Sequence, residues 1–377
     1  MTRLATALLA VFAIGLIVGR ASAPETAAAA LSWSVAGALA EARNYPRVVA
    51  LPTGELFVSG GVDPAYPEVA RATSELFDPA TGRSTVLAPN GPGRANHTAT
   101  LAWGDRVVIA GGTQFYSGAW HAMDSVDVFL PYSHVWLRGA AMRQPRADHA
   151  AVALRDGRVL VAGGENANFI YRSAEIYDPA TNTWAAAAPM PRVRTQFLMA
   201  ALPDGTVLAL GGLEERGAPS RTSVIYDPRT DSWREGPRLS TDRVLSAIAT
   251  LDNGDVLVIG GQYAASNTAE RYDWRAKAFV YAGVLIEPRL AAAAATLADG
   301  SVALVGGLPD SPSRVGFAPT VTAERWDART NAWTALPGIA AARALGTLVI
   351  SGDHAYFVGA ALEAEQTDPS VERLSVP

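Results

Sequence analysis

Seven arginines recur at matched positions: Arg43, Arg94, Arg146, Arg194, Arg243 and Arg289 each stand 17 residues before a glycine pair, and Arg343 stands 16 before Gly359. Guanidinium groups gathered around one point would bind carboxylates or phosphates through paired N–H···O bonds. The same arginine could instead tie one copy of a repeat to the next, since a scaffold keeps symmetry and a ligand site breaks it. Both readings stay open at the level of sequence. Two histidines, His97 and His149, follow their arginines by three residues in RANH and RADH. With Asp148 or His121 nearby they could make an acid/base pair or a metal site; the plainer reading is a packing ring hydrogen-bonded to the backbone. There is no compact metal motif, phosphate loop, G-x-S-x-G elbow or H-E-x-x-H pair, so neither a metal nor a cofactor is expected.

The elements that must position these groups form a repeat. Glycine pairs fall at Gly60-Gly61, Gly111-Gly112, Gly163-Gly164, Gly211-Gly212, Gly260-Gly261 and Gly306-Gly307, with a weaker seventh copy at Gly359-Ala360. Each follows an apolar run, and before that run lies a turn such as LRDGRV or LPDGTV, which marks a tight hairpin. After each pair comes a variable loop, then a strand carrying Glu or a substitute and an aromatic, as in ELFDP, EIYDP and ERWDA. A polar turn then leads to Trp136, Trp184, Trp233, Phe279 or Trp333, while the first copy has Ser84 there. Each unit thus holds four short strands, too small a sheet to bury both faces alone. Copies stacked around an axis solve that problem, and the predicted fold is an all-β propeller.

The double glycine, spaced aromatic and tryptophan at a period near 50 resemble the kelch family over residues from about Trp33 to the C-terminus. Seven copies predict a seven-bladed kelch-type β-propeller. The seventh copy lacks its tryptophan strand, and LSWSVAGALAEAR near the N-terminus supplies one with Trp33 in place, so the N-terminal strand is expected to close the last blade. In kelch proteins that capture acidic peptides, arginines at the matching position line the central pocket. The resemblance therefore implies a ligand role for the seven arginines here. The loops after the glycine pairs open on the same face and carry Tyr66, Phe115, Tyr116, Trp120, His121, Phe169, Tyr171, Tyr263 and Phe317. Aromatic rings beside cations suit sugars or peptides. The candidate ligand-binding set is the seven arginines with His97, His149, Tyr116, Trp120, Tyr171 and Tyr263.

Composition narrows the classes. Charged residues make up 18% and the net charge is −5, which opposes nonspecific attraction to nucleic acid. There is no cysteine, hence no disulfide, thiolate nucleophile or thiolate metal site. Galactose oxidase has similar blades, but its copper chemistry depends on a tyrosine crosslinked to a cysteine. Residues 1–30 read as a signal peptide or membrane anchor with an Ala-rich linker: Arg3, an apolar run from Leu4 to Val18, then small residues with Pro24 after Ala21 and Ala23. Residues 31–377 are the propeller. The expectation is an exported bacterial monomer, periplasmic or secreted, that binds a carbohydrate, an acidic ligand or a partner protein on its loop face. The alternative is an enzyme of the kelch sialic acid mutarotase type acting on an acidic sugar.

Overall fold

The apolar runs before the glycine pairs, LFVS, RVVIA, VLVA, VLAL, VLVI and VALV, are buried along nearly their whole length. Strands this uniformly apolar need cover on both faces, and in this protein the cover comes from a blade on either side. The computed structural model describes residues 31–261, 267–309, 318–359 and 368–375. Among them are seven four-stranded antiparallel sheets and two short two-stranded ribbons. Blade 3 shows the plan: Ala150–Ala153, Val159–Ala162, Ala174–Asp178 and Thr183–Ala187 pair in chain order, from the innermost strand outward. Innermost strands of neighbouring blades pack side by side, with Thr347–Ser351 of blade 7 against Arg47–Ala50 of blade 1.

No blade has a core of its own. Each of the seven buried apolar clusters mixes residues of two adjacent blades, as where Leu160, Ala162 and Ile176 of blade 3 meet Val207, Ala209 and Tyr226 of blade 4. Full burial of one such side chain stabilises by roughly 1.5–3 kcal/mol, and a lone blade would forfeit most of it. The spaced aromatics serve the same junctions. Tyr177 stands opposite Trp184 with ring centroids 5.0 Å apart, and Tyr226 opposite Trp233 at 4.9 Å. Each indole N–H then reaches the preceding blade: Trp184 donates to the Ala140 carbonyl and Trp233 to that of Ala188, both at 2.8 Å.

The ring closes as the sequence predicts. Ser32–Ala38 pairs antiparallel with Ser370–Ser375 as the outer strand of blade 7, and Trp33 stands opposite Leu374. Leu31 and Trp33 pack against the cluster that holds Leu374, Phe357 and Ile339. The chain's first described strand and its last are therefore hydrogen-bonded to each other, and no blade is left short of a strand.

Candidate functional site

The seven arginines are buried inside the blade wall. They are between 0 and 5% exposed. Arg146 Nη1 donates to the Gly163 carbonyl at 2.6 Å and to that of Ser173 at 3.2 Å, while Nη2 reaches Glu175 at 2.7 Å. Arg43, Arg94, Arg194, Arg243 and Arg289 likewise donate to the carbonyl of the glycine 17 residues on. The spacing is the length of chain that runs out along the innermost strand, turns, and returns to the glycine. The acid on the third strand completes the junction: Glu75, Asp127, Glu175, Glu270, Glu324 and Glu372 pair with Arg43, Arg94, Arg146, Arg243, Arg289 and Arg343. Blade 4 carries Val224 at that position, and Arg194 takes Glu214 from the loop at 3.0 Å instead.

The glycine pair belongs to the same device. Gly163 and Gly164 have φ of 63° and 83°, and an added Cβ would lie 2.4 Å from the Arg194 carbonyl oxygen or 2.5 Å from that of Ala147. Gly164 N–H donates to the Arg194 carbonyl at 2.8 Å, so one pair fastens its blade to both neighbouring arginine segments. The reading of these arginines as a ligand ring is corrected on this ground: their Nη donors go to carbonyls, hydroxyls and carboxylates inside the wall. His97 is also built in and His149 is buried but lines the axial cavity; their Nε2 atoms lie 3.0 Å from the Ser59 and Thr98 hydroxyls. Burial holds both neutral, with His149 pushed down to about 3 and His97 well below its usual value. Blade 4 puts Phe197 at the same offset.

The loop aromatics divide. Tyr171 lies over Arg146, 5.4 Å from its guanidinium carbon to the ring centre, and packs as a cover for the junction. Tyr116 is half exposed and stacks on His121 at 4.0 Å near the tip of the ribbon Thr113–Tyr116 and Ala119–Ala122. Trp120, on the same ribbon, lines the axial mouth. Tyr263 and Phe317 lie outside the described residues, as does the segment 1–30.

The wall of that mouth is made by the residue two places after each arginine: Tyr45, Asn96, Asp148, Gln196, Leu245, Ala291 and Leu345. All seven have φ between 51° and 60°. A left-handed non-glycine residue costs about 1–2 kcal/mol, and such residues gather at functional sites. Backbone bonds link them around the axis, with the Asp148, Gln196, Ala291 and Leu345 N–H groups donating to the carbonyls of Asn96, Asp148, Leu245 and Ala291. They enclose a cavity of about 710 Å³, within the size range of small-molecule sites. A second cavity of about 300 Å³ shares Asn96, Trp120 and Asp148 with it and adds Glu165 and Asn166.

The wall is two-sided. Blades 1 to 4 contribute both charged groups, Arg47 and Asp148, with Tyr45, Asn96, His149 and Gln196 set among Val62, Pro67, Ala95 and Trp120; from Phe197 onward it continues with Leu198, Leu245, Ala291, Ala292 and Leu345, where Ser246 has the one polar side chain. Arg47, on the innermost strand of blade 1, is the cation that the sequence reading missed. It reaches water in the pocket, its Nε donates to the His97 carbonyl at 2.8 Å, and no carboxylate among the described residues lies within salt-bridge distance. Its place in the repeat, four residues after the junction arginine, is held by Thr98, Ala150, Leu198, Ala247, Ala293 and Thr347 in the other blades, so no register flagged it. Asp148 has its pKa raised to about 6, chiefly by burial and then by Glu165, with Arg47 opposing. Burial also raises Glu165, against a hydrogen bond from Thr195.

Because the folded-state pKa of Asp148 lies above its usual value of 3.8, ionising it costs more in the folded protein than in the unfolded chain. That cost grows as pH rises from about 4 to about 6 and stays constant above. Asp148→Asn is therefore expected to raise the unfolding free energy at pH 7.5 by about 1–2 kcal/mol, after discounting for water in the pocket, and to change little at pH 4. Urea unfolding at the two pH values measures it, and equal effects at both would rule out strained ionisation as the cause.

A ring of seven blades, each locked by an arginine, a glycine and an acid, defines the class: the fold is a seven-bladed β-propeller with repeats of kelch type. Residues 145–191 match the Kelch motif family. No curated protein matches the chain. Among solved structures, a fungal alcohol oxidase of the AA5 family in complex with copper superposes with a TM-score of 0.73 at 19% identity, covering 91% of this chain and 76% of that one. YjhT superposes with a TM-score of 0.61 at 16% identity, covering 81% and 100%. At these identities the likeness is one of fold. The chain has no cysteine, and among the described residues no three His, Asp or Glu side chains converge as metal ligands.

Proposed function

We propose that this protein is an exported ligand-binding propeller whose site is the axial pocket, and that it takes a small polar ligand bearing a carboxylate, such as an acidic sugar. The observation that carries the proposal is Arg47, a guanidinium without a carboxylate partner on the wall of a 710 Å³ cavity. Each of the seven junction arginines has a carboxylate partner, so an arginine without one at the accessible end is suited to a ligand's carboxylate. Asn96, Gln196 and Tyr45 add neutral donors and acceptors around it. The test is the thermal unfolding midpoint against acidic sugars, neutral glycans and acidic peptides. A saturating acidic ligand is expected to raise the midpoint by about 2–5 °C, less at high salt, and Arg47→Gln is expected to abolish the rise in a folded protein. A rise that survives Arg47→Gln would refute the assignment.

A second reading is enzymatic, of the mutarotase type. Asp148 favours it, since a carboxyl with a pKa of about 6 can both give and take a proton near neutral pH. Faster interconversion of acidic-sugar anomers, followed by NMR and lost in Asp148→Asn, would support turnover; binding without turnover would leave the ligand-binding reading.

A further inference from the structure

We propose that the axial pocket is built for a zwitterion of amino-acid or short-peptide size, with its carboxylate on Arg47, its ammonium at Asp148 and Glu165, and an apolar side chain against Leu245, Ala291 and Leu345. This rests on the ligand-binding reading and deepens it by naming the ligand class.

The argument begins with charges that are held apart. Arg47 and Asp148 line the same cavity and each feels the other's field, yet they form no salt bridge. Among the described residues, nothing donates a hydrogen bond to the Asp148 carboxylate. The contrast is with the blade junctions, where Arg146 and Glu175 or Arg243 and Glu270 close to 2.7 and 2.9 Å. One cation and one anion, both reachable by water and neither in a salt bridge among the described residues, leave room between them for a molecule that carries the complementary pair.

Other ligand classes meet less of the wall. A ligand with a carboxylate alone satisfies Arg47 but carries a like charge toward Asp148 and Glu165, and like charges in a partly dry pocket repel. A neutral polyol leaves both charges without a partner. It also sets hydroxyls against Leu245, Ala291, Ala292 and Leu345, which offer no side-chain donor or acceptor, and a polar group buried without a hydrogen bond is costly. An apolar side chain is what that arc can accept. Asp148 stands where the two cavities share their lining and Glu165 lines the smaller one, so an ammonium beside Asp148 meets a second carboxylate from the neighbouring cavity.

The experiment is calorimetric titration of the purified protein with leucyl-leucine, its N-acetyl derivative, its C-terminal amide and a neutral disaccharide. The zwitterion is expected to bind, with at least a tenfold loss on acetylation and at least a tenfold loss on amidation. Arg47→Gln is expected to erase the difference between acid and amide, and Asp148→Asn the difference between free and acetylated amine. Glu165→Gln provides the same readout on the amine should Asp148→Asn misfold. If N-acetyl-leucyl-leucine or an acidic sugar binds as well as or better than the zwitterion, and Arg47→Gln abolishes that binding, the zwitterion proposal is overturned while the acidic-ligand reading stands. If none of the probes and no acidic sugar binds, both fall.

Discussion

Arg146→Ala is expected to lower the unfolding free energy by about 3–5 kcal/mol, because it strands a buried carboxylate and two carbonyls at once. Glu175 is 2% exposed and has Arg146 as its ion-pair partner at 2.7 Å. Its other oxygen accepts from the Arg143 N–H at 2.8 Å, which fixes it in place and prevents escape toward water. The Gly163 and Ser173 carbonyls lose a donor as well. Removing the acid together with the base, as Arg146→Met with Glu175→Leu, is expected to recover much of the loss, since an apolar pair of similar volume strands no charge. Urea unfolding of the three variants, followed by fluorescence and circular dichroism to check that the transitions coincide, measures it. A single variant that keeps its stability but no longer binds ligand would return the arginine ring to the site.

The other large effect lies at the seam. Deleting the chain through Leu39 removes the strand Ser32–Ala38, uncovers the whole edge of Ser370–Ser375, and takes Leu31 and Trp33 from the cluster around Leu374 and Phe357. Leu39 itself is 4% exposed, and its N–H donates to the Pro369 carbonyl at 2.8 Å. The truncated protein is expected to aggregate or to lose cooperative unfolding, because an open apolar blade edge both frays and templates pairing with other chains. Truncation alone does not distinguish a missing strand from general damage, and a circular permutant does. Ser32 stands opposite Ser375, so a short linker can join these ends as a hairpin while new termini open just after Leu39. That permutant is expected to fold with an unfolding midpoint close to that of the parent. Failure of the permutant would show that the ends do more than supply one strand.

The place where sequence and structure part is the position two residues after each arginine. The repeat holds its offset as strictly as that of the arginine, yet its occupants, Tyr45, Asn96, Asp148, Gln196, Leu245, Ala291 and Leu345, share no side-chain chemistry. Alignment by residue type therefore passes over them and stops at the arginines, whose uniformity marks a junction common to all blades. Trp120 was legible because a tryptophan in a variable loop is conspicuous; Arg47 was not, because it follows Pro46 at the start of an inner strand and resembles nothing in the other copies.

Blade number, strand order and the closing role of Trp33 were determined by the sequence itself. They follow from local and periodic properties: glycine pairs at positions that demand positive φ, apolar runs that need cover on both faces, and a tryptophan strand absent from one end and present at the other. Which arginines are wall and which one lines the axial pocket was decided by the tertiary structure alone. A guanidinium is neutralised by whatever acid the fold brings within about 3 Å, and Glu175 reaches Arg146 from 29 residues away through a strand pairing that no local pattern encodes. The same closure brings Arg47 and Asp148, about a hundred residues apart in the chain, to one cavity, because rotation about the axis makes neighbours of residues that share only their rank within the repeat.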